Sequence, residues 1–409
     1  MNIPLSKPDV GEREIEQVVE VLRSNRLSLG PKLVNFEQQF AAYLGTRFAI
    51  ATNSGTSALH LCIRALGIGP GDEVITTPFS FVASANCILY EGACPVFLDI
   101  DRETLNLDPR QIRRFLGECC TVDTQRKTVR NKVTGRIVKA ILPVHVFGLP
   151  CYMEPILELA REFGLKVLED ACEALGAACG GQRVGTFGDA AVFAFYPNKQ
   201  ITTGEGGMIV TDDERIAKLC RSLRNQGRDD QALWLRHDKL GYNYRLSELH
   251  CALGLAQLER LEQLLRDRER VAAVYSRALS DVPYLRLPGR FASLTRSWFV
   301  YVVQLQVTNP QALRDRTIRR LREQGIDSQI YFPAIHKQPY LADSAQVFFD
   351  SLECTEDASA RCLALPFFPS MSNKEIAYVS EALLRILAEE SRLYGHVVPA
   401  TAQAREVSA

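Results

Sequence analysis

The chain has 409 residues, 46% of them hydrophobic, and its 48 basic and 48 acidic side chains cancel. That length and composition suit a packed globule of one to three domains, and the balanced charge gives no field to draw it to nucleic acid or an anionic membrane. No apolar stretch reaches membrane-spanning length. Met1-Asn2-Ile3-Pro4-Leu5-Ser6-Lys7 lacks the charged start and apolar core of a secretory leader, so a soluble, cytoplasmic protein is expected. The 12 cysteines are scattered through apolar segments with no CxxC pair, which reads as buried reduced thiols rather than a disulfide framework or a metal site.

Short apolar runs alternate with helical patterns through roughly residues 50–215. Residues 48–51 read as a strand leading into the turn Thr52-Asn53-Ser54-Gly55-Thr56-Ser57, and residues 58–66 as a helix. Strands are expected at 73–77, 95–99, 140–144 and 166–169, and helices at 81–90 and 156–163. The runs at 190–195 and 207–210 read as consecutive strands. Strand–helix alternation implies a mostly parallel sheet covered on both faces, with ligands at the carboxyl ends of its strands. The polar stretch 119–139 interrupts the pattern and reads as an exposed hairpin or loop.

Leucines at 249, 253, 258, 261 and 265 predict one long helix over 247–279, linking a large domain (1–250) to a smaller one (251–390). A strand at 297–305, a helix at 312–324 and a strand at 326–331 are expected there. Residues 391–409 read as a frayed tail. The whole is an α/β protein: a three-layer α/β/α domain followed by a smaller α+β domain.

Three features carry chemistry. The turn at 53–57 opens a helix whose free backbone amides suit an anion, although a plain Ser or Thr N-cap has the same sequence. Asp170 ends an apolar strand, where a buried carboxylate needs a cationic partner: a local arginine, or a protonated ring nitrogen. Lys199 follows the apolar run 193–195 and precedes the glycine-rich Thr202-Thr203-Gly204-Glu205-Gly206-Gly207, a costly setting for an ammonium and a suitable one for a lysine that forms an imine with a carbonyl cofactor. Phosphate cradle, aspartate and lysine in that order are what pyridoxal 5′-phosphate (PLP) requires. Phe81, Asn243 and His336 are weaker candidates, each with an ordinary alternative as core aromatic, turn asparagine or loop histidine.

The segments TNSGTSALHL (52–61), PFSFVASANCILYEGACPVFLDID (78–101), ILPVHVFG (141–148), LEDACEALGA (168–177), GTFGDAAVFAFYPNKQITTGEGGMIVTDD (185–213) and LGYNYRLSEL (240–249) resemble the nucleotide-sugar aminotransferases of the DegT/StrS family, fold type I PLP enzymes. The resemblance runs to about residue 390. It implies that Lys199 bonds the cofactor, Asp170 pairs with its ring nitrogen, Ser54, Gly55 and Thr56 hold its phosphate, and Phe81 lies against its ring. It further implies a homodimer in which Asn243 reaches the neighbouring subunit's phosphate, with Tyr331 and His336 lining the substrate site. The implied reaction moves the amino group of L-glutamate onto a nucleotide-linked keto sugar. Two positions depart from the commoner pattern. Ala194 stands where many relatives have a phosphate-binding serine, which leaves the phosphate to the turn at 54–57, to Asn243 or to another donor. Glu173 stands near the ring hydroxyl where many have Gln or His; perosamine synthases resemble this chain in having Glu there, which favours a 4-keto-6-deoxy sugar. The alternatives are a PLP-dependent keto-sugar dehydratase, whose histidine branch is disfavoured by Lys199, and a non-catalytic regulatory protein on the same scaffold.

Overall fold

A computed structural model of the protein describes residues 1–123, 125, 128–229, 236–341, 347–348 and 351–394. Helices α1 (Glu12–Ser24) and α2 (Pro31–Leu44) come first, the latter ended by Gly45 in the left-handed region. Strand β1 (Phe48–Thr52) enters α3 (Gly55–Ala65), which starts at Ser54 because the Ser54 hydroxyl accepts the Ser57 amide at 3.0 Å. Then follow β2 (Asp72–Thr76), α4 (Ala83–Tyr90), β3 (Cys94–Phe97) and α5 (Pro109–Arg114). The expected helix at 81–90 thus begins two residues late, because Phe81 and Val82 belong to the turn that precedes it.

The polar stretch forms an antiparallel hairpin, β4 (Cys120–Asp123) with β5 (Thr128–Asn131), and β5 also pairs with β6 (Ile137–Ile141). It is anchored, since Asn131 Nδ2 and Thr134 Oγ1 donate to the buried Glu73 carboxylate at 2.9 and 2.6 Å. After α6 (Met153–Phe163) and β7 (Lys166–Asp170), two short strands, β8 (Ala178–Cys179) and β9 (Gln182–Arg183), form a side ribbon. Strands β10 (Ala190–Ala194) and β11 (Gly207–Thr211) and helix α7 (Glu214–Arg224) close this region. The main sheet runs β1-β11-β10-β7-β6-β2-β3 with β7, β6, β2 and β3 parallel to one another and to β10, while β11 is antiparallel to both its neighbours. Helix α3 is buried along most of its length, with Leu59, Leu61, Cys62 and Ile63 at 0% exposure. Each such apolar side chain contributes roughly 1.5–3 kcal/mol on burial.

The long helix predicted over 247–279 is two helices, α8 (Glu248–Glu259) and α9 (Leu261–Ala278). The break falls at Arg260 (φ −114°, ψ 15°), whose guanidinium turns to Asp9 and to Glu14, the latter at 2.8 Å. Periodicity alone could not register a kink made for side-chain pairing. Strands β12 (Leu285–Arg286), β13 (Leu294–Thr295) and β14 (Tyr301–Leu305) follow, so the run from 297 becomes strand only at Tyr301. Helix α10 (Pro310–Glu323) matches expectation, but 326–331 is not a strand. Its residues make isolated bridges instead, Ile326 with Ile3 and Gln329 with Ala364. Then come β15 (Val347–Phe348), α11 (Glu353–Arg361), β16 (Cys362–Leu365) and α12 (Asn373–Tyr394). The frayed tail expected from 391 is helical through Tyr394, and its remainder lies outside the described residues.

Two cores result. One lies on both faces of the large sheet; the other gathers α9, β14, β16 and α12, and it also buries Ile3 at 0% exposure. The segment after Gln329 crosses between them. Ile335 N donates to Pro78 O at 2.8 Å, Leu341 is buried against the large-domain face, β15 pairs in parallel with β3, and Asp99 caps α11 through the amides of Cys354 and Thr355, both at 2.8 Å. All 12 cysteines are free thiols. Among the described residues no helix is long and apolar enough to cross a membrane.

Candidate active site

Three parallel-sheet strands end at one place. β1 hands over to the α3 N-terminus, β7 ends in Asp170, and the turn after β10 carries Lys199. Together they floor a cavity of about 500 Å³. Of the residues singled out in the sequence, Ser54, Gly55, Thr56, Phe81, Asp170, Glu173, Lys199 and Tyr331 all line it.

Gly55 is needed for close approach: a Cβ there would sit 2.7 Å from Ala194 Cβ and 3.1 Å from Cys172 Sγ. Helix α3 thereby butts its first turn against β10, and its opening residues Gly55 and Thr56 line the cavity, where a helix N-terminus leaves backbone amides free for an anion. The Ser54 hydroxyl is already engaged with the Ser57 amide at 3.0 Å and the Ser57 hydroxyl at 2.9 Å. Asp170 is 6% exposed and accepts the Cys172 amide at 3.1 Å. Burial pushes its carboxyl pKa up, partly opposed by the Cys172 contacts and by the charge on Lys199. A carboxylate so desolvated at a cavity wall fits a protonated ring nitrogen. Its neighbour Glu169 points to the opposite side and is fully engaged by the amides of Gly185, Phe187 and Gly188 and by His145.

Lys199 lies five positions past the end of β10 rather than on the strand. Its side chain is 13% exposed, with Nζ 3.8 Å from Glu173 Oε1 and 3.9 Å from the centroid of the Phe299 ring. Glu173 accepts the Phe147 amide at 2.9 Å, and burial raises its pKa from 4.5 to about 7, against the pull of Lys199. Phe147 holds that amide in place with φ +55°, followed by Gly148 at φ +75°, where a Cβ would meet Ser297 O at 1.6 Å. Phe81, 61% exposed, stands at the rim. Tyr331 closes the far wall, its hydroxyl 3.4 Å from Asn198 Nδ2 and its pKa raised to about 12 by burial and by Glu173.

Asn243 and His336 are not brought into this cavity. Asn243 is exposed, on a segment held beside the turn by the bond from Asn53 N to Tyr244 O at 2.9 Å. His336 instead pairs through Nε2 with Glu356 at 3.2 Å, because the short 3-10 turn Ile335–Lys337 buries Ile335 and swings its neighbour toward α11. Sequence reasoning missed Asn198, Glu205 and Phe299 as lining residues. Adjacency to Lys199 could have signalled Asn198 and the glycine-rich turn Glu205; Phe299 sits in an apolar run that gave no signal.

These residues fit PLP: a helix N-terminus for a phosphate, a buried carboxylate for the ring nitrogen, and a shielded amine in the same cavity. Comparison with known proteins agrees. Residues 8–384 match the DegT/DnrJ/EryC1/StrS aminotransferase family. The chain is 39% identical over 393 residues to the GDP-perosamine synthase of Caulobacter vibrioides, covering 94% of this chain and 98% of that protein. It is 37% identical over 396 residues to the spore coat polysaccharide biosynthesis protein SpsC of Bacillus subtilis, covering 94% and 97%. Among solved structures it superimposes on a putative sugar aminotransferase of Streptococcus pneumoniae in its PLP form with a TM-score of 0.85 and 25% identity, covering 95% and 99% of the two chains. The sheet, the cavity at its carboxyl edge and these likenesses have one common reading: the chain belongs to the DegT/DnrJ/EryC1/StrS aminotransferase family of PLP-dependent transaminases.

Proposed function

We propose that the protein transfers the amino group of L-glutamate to a nucleotide-linked 4-keto-6-deoxy sugar. The observation that carries this reading is the meeting of the α3 N-terminus, Asp170, Glu173 and Lys199 in one cavity. The likeness to a GDP-perosamine synthase supports a GDP-linked acceptor. Bound PLP supplies a carrier for the amino group and an electron-accepting ring. Asp170 supplies the negative charge that keeps the ring nitrogen protonated, and the amides opening α3, with Thr56, hold the phosphate. Lys199 Nζ anchors the cofactor and, once displaced by the incoming amine, moves a proton at the substrate carbon. Glu173, its carboxyl raised to about 7, exchanges a proton beside Lys199 in the neutral range. Phe81 covers the ring and Tyr331 meets the sugar. The exposure of Asn243 outside its own cavity supports a homodimer in which Asn243 of the partner subunit completes the phosphate site. Reduced thiols support a cytoplasmic setting.

The test is spectroscopic. Protein loaded with PLP should lose its visible band on addition of L-glutamate, release 2-oxoglutarate, and regain the band when a GDP-linked 4-keto-6-deoxy sugar is added. A band that ignores glutamate rejects the donor. Loss of a sugar hydroxyl without glutamate consumption replaces transamination with dehydration.

A further inference from the structure

Arg268 lies in the middle of α9 and is 3% exposed. A buried guanidinium ordinarily meets a carboxylate. Here, among the described residues, its hydrogen-bond partners are all backbone carbonyls: Nη1 donates to Trp298 O (3.4 Å) and Phe299 O (3.1 Å), and Nη2 to Asn198 O (3.4 Å) and Lys199 O (2.6 Å). Desolvation lowers its pKa to about 10. The two carbonyl pairs belong to segments far apart in sequence, the turn bearing Lys199 and the run bearing Phe299. Those two side chains meet at the cavity, with Nζ 3.9 Å from the ring centroid.

We propose that Arg268 is a positioning residue, a planar fork that fixes the Lys199 backbone and the Phe299 ring against each other so that Nζ is held at the reacting position. This rests on Lys199 being the lysine that bonds the cofactor. The fork geometry is the reason for arginine. A lysine keeps the charge but presents a single point donor, which cannot span carbonyls of two segments on two nitrogens. The cost of a loosened fork is misplacement of Nζ rather than lost substrate affinity, so the effect belongs in kcat.

The experiment compares full-length PLP-loaded wild type with Arg268→Lys and Arg268→Met. Three readouts are taken: kcat and KM for glutamate, the visible circular dichroism of the bound cofactor, and the peptide labelled after borohydride treatment. In that treatment the lysine amine and the PLP aldehyde have joined with loss of water, and hydride reduces the resulting C=N bond. Arg268→Lys should lower kcat about tenfold or more with KM within twofold, and weaken the visible dichroic band, at an assay temperature well below its melting transition. If Arg268→Met fails to fold, Arg268→Lys decides alone. Unchanged kcat and an unchanged dichroic band in Arg268→Lys, with label on Lys199, overturn the positioning role while leaving the assignment of Lys199 intact. Label on another lysine in the wild type overturns that assignment, and the positioning role with it.

Discussion

Replacing Glu173 with glutamine in the cofactor-free protein isolates the cost of one buried charge. Glutamine keeps the shape and still offers an oxygen to the Phe147 amide, which Glu173 accepts at 2.9 Å. The folded-state pKa of Glu173 is raised from 4.5 to about 7, so the folded protein holds this proton more tightly than the unfolded chain. The stabilising contribution of the protonated form is therefore complete below pH 4.5 and is lost as the pH rises to about 7. At ~1.4 kcal/mol per unit, the gap amounts to about 3 kcal/mol. That figure already contains the attraction of Lys199 at 3.8 Å. The charge of Asp170 is among the causes that raise Glu173, so the figure also contains the repulsion between the two carboxylates. Urea unfolding of wild type and Glu173→Gln across pH 4.5–8 should show near-equal stabilities at the acid end, and the variant more stable by about 3 kcal/mol at pH 8. A difference independent of pH would refute the reasoning, because it would mean that Glu173 binds its proton equally in the folded and unfolded states.

Three further outcomes follow from the same geometry. Gly55→Ala drives a methyl to 2.7 Å from Ala194 Cβ, and should cost about 1–3 kcal/mol in stability and weaken PLP binding in a spectroscopic titration. Gly148→Ala, at φ +75° with Ser297 O in the way, should cost more than about 3 kcal/mol, read as a shifted urea midpoint. Asp170→Asn should lower kcat by about 10²–10³-fold, since the amide cannot stabilise a protonated ring nitrogen; an equal kcat would remove Asp170 from the chemistry.

The sheet and its cavity were legible because their signals are local. An apolar run ending in Asp170, or a serine-capped turn opening α3, states its structure within ten residues or so. What the chain conceals depends on distant partners. The break at Arg260 exists because Asp9 and Glu14 wait for its guanidinium, and nothing near residue 260 says so. The run 326–331 has the composition of a strand, but its neighbours are Ile3 and Ala364, one bridge each, too few for a ladder. The family resemblance puts His336 with Tyr331 at the substrate site, yet a single 3-10 turn sends the two side chains to different places. Phe299 becomes a site residue only when its run, about a hundred residues past Lys199, packs into the core of the large sheet.

The strap that leaves the second core to lie across the first also sets a schedule for biosynthesis. Asp170 and Lys199 leave the ribosome long before Tyr331 and Phe332, the residues that wall the same cavity. At roughly 5–20 residues per second, the interval between Lys199 and Phe348 lasts about 7 to 30 seconds. During it β3 is the outer edge of a growing parallel sheet, for β15, its partner on that side, is not yet made. Such an edge invites pairing with other chains. The wall of the active site, at Tyr331 and Phe332, and the cover for the β3 edge, at Val347–Phe348, therefore come from one late stretch of chain, and a ribosome that stalls before residue 331 releases a chain lacking both.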